Sequence, residues 1–453
     1  MNADAHRHAG APAPADRSTD SRTALLAGRD LTVDLARASC VLLVVVVHLL
    51  MFAVSRTAAG ALVVTAPLTH EPWFARATWF GQIMPLFFVV GGFASATAWA
   101  SAERRGQDAG DYVRGRLLRL GRPAAAVFVF LAVGLGVATI AGAPPAILRT
   151  TAVGIGSPLW FLAAYGITQL FVPLMARLHR VNPWATLAVL ATAGLLVDLG
   201  RHATGVTDFG LLNMVFVWLF VQQLGFVYAS GWLERMPVAV LVAVPLACWA
   251  LLVPMTRSGI WSADMLTDQN PPMTTLAVLG VAQLFLLRLF RPALARLMQT
   301  RAAQNVVFVV GSRGMTVYLW HLPLAVLLTG ALVLVGAPLP VPGSPVWWAS
   351  RIPMYAAVLA LAFTVSLVVG RLERAPRPVP AGDRRPSLIV IAAAAVLTIV
   401  PPFVVMLDGL DLAWAVIGAV ALPLAMWLLG RTRPQAAPTP ICQDTPNRSA
   451  TQA

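Results

Sequence analysis

Apolar runs long enough to cross a membrane, roughly 20 residues each, recur along the whole chain. They lie near 34–54, 79–100, 123–142, 159–176, 184–200, 209–230, 237–256, 274–287, 315–336, 352–370, 387–407 and 412–430. The pattern predicts an all-α, polytopic transmembrane helix bundle of about twelve spans, the eighth unusually short. Met1 to Gly28 reads instead as a disordered tail, rich in Ala, Pro, Asp, Arg and Ser and poor in large apolar groups. The predicted organisation is a tail over 1–28, a transmembrane core over 29–371, a linker with two further spans over 372–430, and a second disordered tail over 431–453.

Composition sharpens this reading. Of 453 residues, 58% are hydrophobic and 11% charged, with a mean hydropathy of +0.75; soluble domains carry about a quarter charged residues. The chain therefore reads as a multi-pass integral protein of the cell membrane, with the lipid bilayer as its first partner. All 33 basic residues are Arg and the net charge is +14, yet the arginines are scattered and form no block that suits a nucleic acid. Cys40, Cys248 and Cys442 are far apart, with no CxxC or Cys/His cluster. Neither a disulfide framework nor a metal site is expected. No phosphate-binding glycine loop or dinucleotide fingerprint appears. The first apolar run is not a secretory signal, because a long tail precedes it and no small-residue cleavage site follows it.

The arginines also orient the bundle. With twelve spans both termini share one side. If that side is the cytoplasm, only Arg56, Arg76, Arg149, Arg201, Arg257 and Arg351 fall outside, Arg37 lies at a membrane edge, and all the others fall inside. That asymmetry is what the positive-inside rule requires.

The first span holds the main chemical signal, "DLARASCVLLVVVVHLL" from Asp34 to Leu50. Arg37 and His48 are eleven residues apart, which is about 16 Å of helix and just over three turns, so both point nearly the same way. Asp34 lies one turn before Arg37 and can pair with it. Ionisable groups inside a membrane are costly and usually functional. A plain cytoplasmic anchor and a packing histidine fit the spacing equally well.

Further segments decide between these readings. Arg-x10-His within D-x-x-R-A resembles the first span of the membrane acyltransferase 3 family. "MPLFFVVGGF" (Met84–Phe93) is similar to the family's second-span signature, with Gly91 where many members have Ser. "YVRGRLLRLGRP" (Tyr112–Pro123) resembles its basic R-x-x-R loop through Arg116 and Arg119. "SPLWFL" (Ser157–Leu162) and "MTVYLWHLP" (Met315–Pro323) resemble its W-F-L entry to the fourth span and its late Y-L-x-H-x-P. The five motifs follow the family's order over about residues 30–370. The last two spans exceed its usual ten.

The resemblance implies an O-acyltransferase that moves an acyl group, often acetyl, from cytoplasmic acyl-CoA to a hydroxyl of a sugar or cell-envelope glycan at the outer side. The donor is a substrate and no tightly bound cofactor is implied. His48 is the implied catalytic residue, as general base on the acceptor hydroxyl or, as a less favoured variant, as an acylated intermediate. Arg37, Arg116 and Arg119 would hold the donor's phosphates by charge-assisted contacts. His321, expected two turns into its span from the cytoplasmic side, is placed with the donor site, or else satisfies a neighbouring carbonyl. Ser157 and Trp160 are the implied acceptor-binding residues; Trp160 is expected at the outer interface, where tryptophans collect in any case. Arg114 and Arg122 fit topology as well as function. Gly91 and Gly92 fit close helix contact better than substrate contact, and Gln222 and Gln223 fit hydrogen bonding within the bundle. The competing reading is a twelve-span secondary transporter, but the halves show no repeated motif and no paired intramembrane acids.

Overall fold

The computed structural model describes residues 30–58, 60–373, 383–384, 386–431 and 433–434. The two predicted tails and most of the predicted linker lie outside the described residues, apart from the few positions at their edges. Among the described residues twelve helical segments are long and apolar enough to cross a membrane, and the protein is an all-α, multi-pass membrane bundle. Its helices are α1 Leu31–Leu50, α2 Phe74–Gly81, α3 Met84–Arg104, α4 Ala109–Ile140, α5 Pro145–Gly156, α6 Trp160–Val181 and α7 Pro183–Thr204. After these come α8 Asn213–Ala229, α9 Val238–Arg257, α10 Thr274–Leu297, α11 Arg301–Leu334, α12 Pro345–Val369, α13 Leu388–Asp408 and α14 Leu412–Gly430. A small antiparallel hairpin, β1 Ala53–Arg56 and β2 Leu62–Thr65, follows the first span.

The elements differ from the hydropathy runs mainly at their ends. The first span stops at Leu50, and the residues after it turn into the hairpin. The third begins at Ala109 and the ninth at Arg301, each about fourteen residues before the apolar run. The eighth continues to Leu297. In the third, eighth and ninth spans an arginine-bearing stretch stays helical, because helix formation needs only backbone hydrogen bonds and a good helix former such as Arg does not interrupt them. Hydropathy sees the hydrocarbon part of a helix and not its charged extension.

Helix α8 is the central element. The apolar window around it is 78% buried, against 17% for the windows of α9 and α12 at the rim. Rim helices instead expose large apolar side chains, such as Val189, Leu196, Ile352 and Val368, a surface that lipid tails solvate without penalty.

Glycine sets a very close crossing between α3 and α8. A Cβ on Gly92 of α3 would stand 2.0 Å from the Gln222 carbonyl oxygen of α8, and one on Gly225 would stand 2.1 Å from the Val89 carbonyl oxygen. The two backbones meet where only hydrogen fits, which is the small-residue packing expected of membrane helices.

The two last helices pack on the same bundle. A Cβ on Gly418 of α14 would strike the Phe128 ring of α4 at 2.1 Å, and one on Gly166 of α6 would meet Ile399 of α13 at 3.0 Å. Arg114, buried on α4, donates from Nε to the Leu429 carbonyl at 2.7 Å. A cation there satisfies an orphan acceptor at a helix C-terminus.

A polar clamp closes one end of the bundle. Asp198 accepts from Asn213 Nδ2 (2.7 Å), Trp261 Nε1 (2.8 Å) and the Thr274 backbone N–H (2.8 Å). Asp268, in the loop between α9 and α10, accepts from the Ser262 N–H at 3.1 Å and the Thr275 hydroxyl at 2.7 Å. Burial, opposed by those hydrogen bonds and aided by the Asp198 charge, pushes the Asp268 carboxyl up from 3.8 to about 6.

Two outcomes test this account. Gly92→Ala should cost about 1–3 kcal/mol or more through overpacking and lower Tm in detergent, whereas Gly115→Ala, with nothing within 4 Å of the added carbon, should not. A Gly92→Ala protein with unchanged Tm would refute the crossing. The Asp268 pKa is higher folded than unfolded, so its contribution to loop docking is greatest at low pH and is lost as pH rises towards about 6. Hydrogen exchange, corrected for intrinsic rates, should show the 258–273 loop better protected at about pH 4 than at about pH 7.5. Asp268→Asn should flatten that dependence.

Candidate active site

The first span is tied down at its start. Asp30 caps α1 by accepting from the Thr32 N–H at 3.0 Å, and Arg291 of α10 reaches its other oxygen at 3.5 Å. One turn on, Asp34 pairs with Arg37 at 3.2 Å, as the spacing predicts. Arg116 and Arg119 lie one turn apart on α4, so they share a face. All three arginines line one cavity of about 970 Å³, mouth included. Arg37 and Arg119 also border an adjoining opening of about 840 Å³.

The walls explain the shape of this cavity. Gly311 and Gly314 of α11 face α1, and a Cβ on Gly311 would already stand 3.6 Å from Arg37 Nη2. The Arg116 guanidinium lies 4.9 Å from the centre of the Tyr112 ring. Among the described residues neither Arg116 nor Arg119 forms a salt bridge. Glu373 is the acid in this wall. It accepts from the Thr316 N–H at 2.7 Å and from the Thr316 hydroxyl, and it lies within electrostatic reach of Arg119 and Arg313. The far end of the cavity is formed by Val41 of α1 and Tyr318 of α11, whose hydroxyl donates to the Pro158 carbonyl at 2.8 Å.

Two turns beyond Val41 stands His48. Its Nδ1 is 2.8 Å from Nε2 of His321, and the two rings are nearly parallel, 12° apart. His321 is fully buried, with Nδ1 at 2.6 Å from the Tyr318 carbonyl oxygen. A carbonyl only accepts, so His321 carries its proton on Nδ1 and presents a bare Nε2. His48 must then donate from Nδ1, which leaves its own Nε2 with a free lone pair. The chain of bonds sets the tautomer of His48 and points a base away from its partner.

On the opposite side of the pair from the arginines is a second cavity of about 980 Å³, mouth included. Leu49, next after His48, and Ala325, one turn after His321, form its floor. The β1 hairpin and α12 complete it. The imidazole pair lines neither cavity but lies between them along α1 and α11, after Val41 and Tyr318 of the basic one and before Leu49 and Ala325 of the largely apolar one.

A family model described as an acyltransferase domain, Acyl_transf_3, matches residues 30–371. The chain belongs to the acyltransferase 3 family. It is a membrane acyltransferase, and the transporter reading falls. The two helices after residue 371 lie outside the match. No curated protein and no solved structure matches the chain.

Two expectations for this acyltransferase need correction. His321 is absent from the lining of the arginine cavity: its Nε2 meets His48 and its Nδ1 the Tyr318 carbonyl, so of the two expected roles it satisfies a neighbouring carbonyl. It stands one turn beyond Tyr318, where that cavity ends on α11, and lies against His48. Trp160 offers no open face at an interface. It is 4% exposed, stacked 5.7 Å from Trp218 and edge-on to Phe161, because α6 turns it into the aromatic core beside α8. Ser157 is exposed on the short turn Ser157–Leu159 that precedes α6.

Sequence reasoning passed over Glu373 and Tyr318. Glu373 is the sole acid in the segment 345–373, and that isolation was the available signal. Tyr318 sat inside a quoted motif, but its carbonyl acts through geometry that no side-chain pattern reveals.

If His321 orients His48, His321→Ala should lower kcat about 10²-fold or more with the donor KM little changed. His321→Gln, whose amide oxygen can accept from His48, should recover part of the loss. A raised donor KM with unchanged kcat would return His321 to the donor site.

Proposed function

We propose that this acyltransferase moves an acyl group, represented by acetyl, from cytoplasmic acyl-CoA to a hydroxyl of a sugar or envelope glycan at the outer side of the cell membrane. One observation carries the reading: the hydrogen-bonded His48–His321 pair lies between an arginine-lined cavity and an apolar one. An acyl-CoA has phosphates at one end and a thioester on a long thin arm. Arg37, Arg116 and Arg119 suit the phosphates, since guanidinium groups make bidentate, charge-assisted contacts with them. The arm would follow Val41 and Tyr318 toward His48.

The acceptor hydroxyl would arrive from the other cavity. His48 Nε2 takes its proton while the hydroxyl oxygen attacks the thioester carbonyl carbon. The new C–O bond forms, the C–S bond breaks, and the departing CoA thiolate takes the proton back from the His48 imidazolium, which restores the base. The hydrogen bond to His321 persists when His48 becomes an imidazolium, because Nδ1 donates in both states; the partner holds the ring still throughout. In this orientation both termini face the cytoplasm, as the arginine asymmetry requires.

The test separates binding from chemistry. Arg37→Ala, Arg116→Ala and Arg119→Ala should each weaken acetyl-CoA binding about tenfold or more. His48→Ala should keep donor binding and lose at least about 10²–10⁴-fold in transfer. Wild-type donor affinity in all three arginine variants would refute the phosphate site. A folded His48→Ala protein with near-normal transfer would refute the base.

A further inference from the structure

The apolar cavity beyond the histidines contains one charged group, Arg351 of α12. Its guanidinium lies 4.7 Å from the centre of the Trp347 ring, and its donors reach the Ser350 hydroxyl at 3.0 Å and the Trp347 carbonyl at 3.4 Å. Among the described residues it forms no salt bridge. A half-buried cation with only neutral partners in a membrane helix is costly and has unmet capacity for an anion.

Its depth matters as much as its charge. The Tyr355 hydroxyl of α12 donates to the Leu42 carbonyl of α1 at 3.4 Å, while Trp347 shares the cavity with Leu49. The two helices therefore run antiparallel. By helical rise Arg351 lies about 6 Å, and His48 about 9 Å, beyond the Tyr355–Leu42 contact. The cation and the base stand at nearly the same level.

The rest of the wall is unlike a site for a free sugar. Phe52, Leu328, Leu332, Pro340 and Met354 contribute hydrocarbon, and Thr329 and Ser350 are the neutral hydroxyls. One wall is α12, whose segment is among the least buried in the bundle, so hydrocarbon could enter sideways from the bilayer. We propose that this cavity is the acceptor site and that its occupant is a hydroxylated amphiphilic anion. Its apolar chain or ring system lies along Phe52, Leu328 and Met354, its phosphate or carboxylate is held by Arg351, and its hydroxyl is presented to His48. The proposal rests on the acyl-transfer reading above and narrows its acceptor from glycans in general to anionic, hydrocarbon-bearing ones.

The experiment uses the full chain in phosphatidylcholine nanodiscs, with lysophosphatidylglycerol as the anionic probe and lysophosphatidylcholine of equal chain length as the net-neutral one. The wild type should bind the anionic probe about tenfold or more tighter. Arg351→Ala should erase that preference and keep acetyl-CoA binding, and Arg351→Lys should retain part of it. Met354→Trp, which fills the cavity without touching the charge, should weaken both probes and provides a second check if Arg351→Ala folds poorly. No preference in the wild type, or a preference that survives Arg351→Ala, would overturn the assignment. So would displacement of the probe by diacyl phosphatidylglycerol at equal mole fraction, since the cavity would then hold a bilayer lipid. Acetyl-CoA binding, measured on the same samples, reports separately on the donor reading: its loss in the wild type would sink that reading and leave the probe result to stand or fall alone.

Discussion

The arrangement depends on one hydrogen bond, from Nδ1 of His48 to Nε2 of His321 at 2.8 Å. It joins the first span to α11 at the depth where two cavities approach each other. Its direction is not free, because the Tyr318 carbonyl claims the other nitrogen of His321. A backbone oxygen of one helix thereby decides where the lone pair of another helix's imidazole points. Histidine suits this position because its two nitrogens can differ in role while the ring stays neutral.

The remainder of the bundle keeps that bond in register. Helix α11 runs beside α1 from Gly311 opposite Arg37, through Gly314 opposite Val41, to His321 opposite His48. The glycines let the helices approach while leaving room for a cavity. Behind them, α3 and α8 cross at Gly92 and Gly225 with backbone against backbone, which fixes the aromatic core of Phe88, Trp160 and Trp218. The helices beyond residue 371 contribute as well. They hold α4, which carries Arg116 and Arg119, through the Gly418–Phe128 contact and the bond from Arg114 to the Leu429 carbonyl. Their packing gives the two added spans a physical place beside the arginine-bearing helix.

Much of this protein was legible in the sequence for reasons that are local. A span is largely apolar because polar side chains are costly in hydrocarbon, and helical because hydrocarbon does not hydrate a peptide group, so the apolar runs became twelve helical spans among the described residues. Arg37 and Asp34 pair because one helical turn brings them together. The same helical arithmetic put Arg116 beside Arg119, and the order of five motifs pointed to the acyltransferase 3 family that the match over residues 30–371 bears out.

What the tertiary structure decided is whatever depends on two segments far apart in sequence. His48 and His321 are separated by 273 positions, and no periodicity within either helix says that they touch. His321 looked like part of the donor site for the same reason, but its partner on the first span holds it outside the arginine cavity. Trp160 looked interfacial from its place at the start of a span, yet the packing of α6 against α8 buries it. Arg351 read as one more arginine on the outer side until α12 was laid antiparallel to α1. A sequence records which side chains are available and how they repeat along one helix. Which of them meet is set by the packing of helices against each other, where a glycine at a crossing or a backbone carbonyl beside a ring selects the partner.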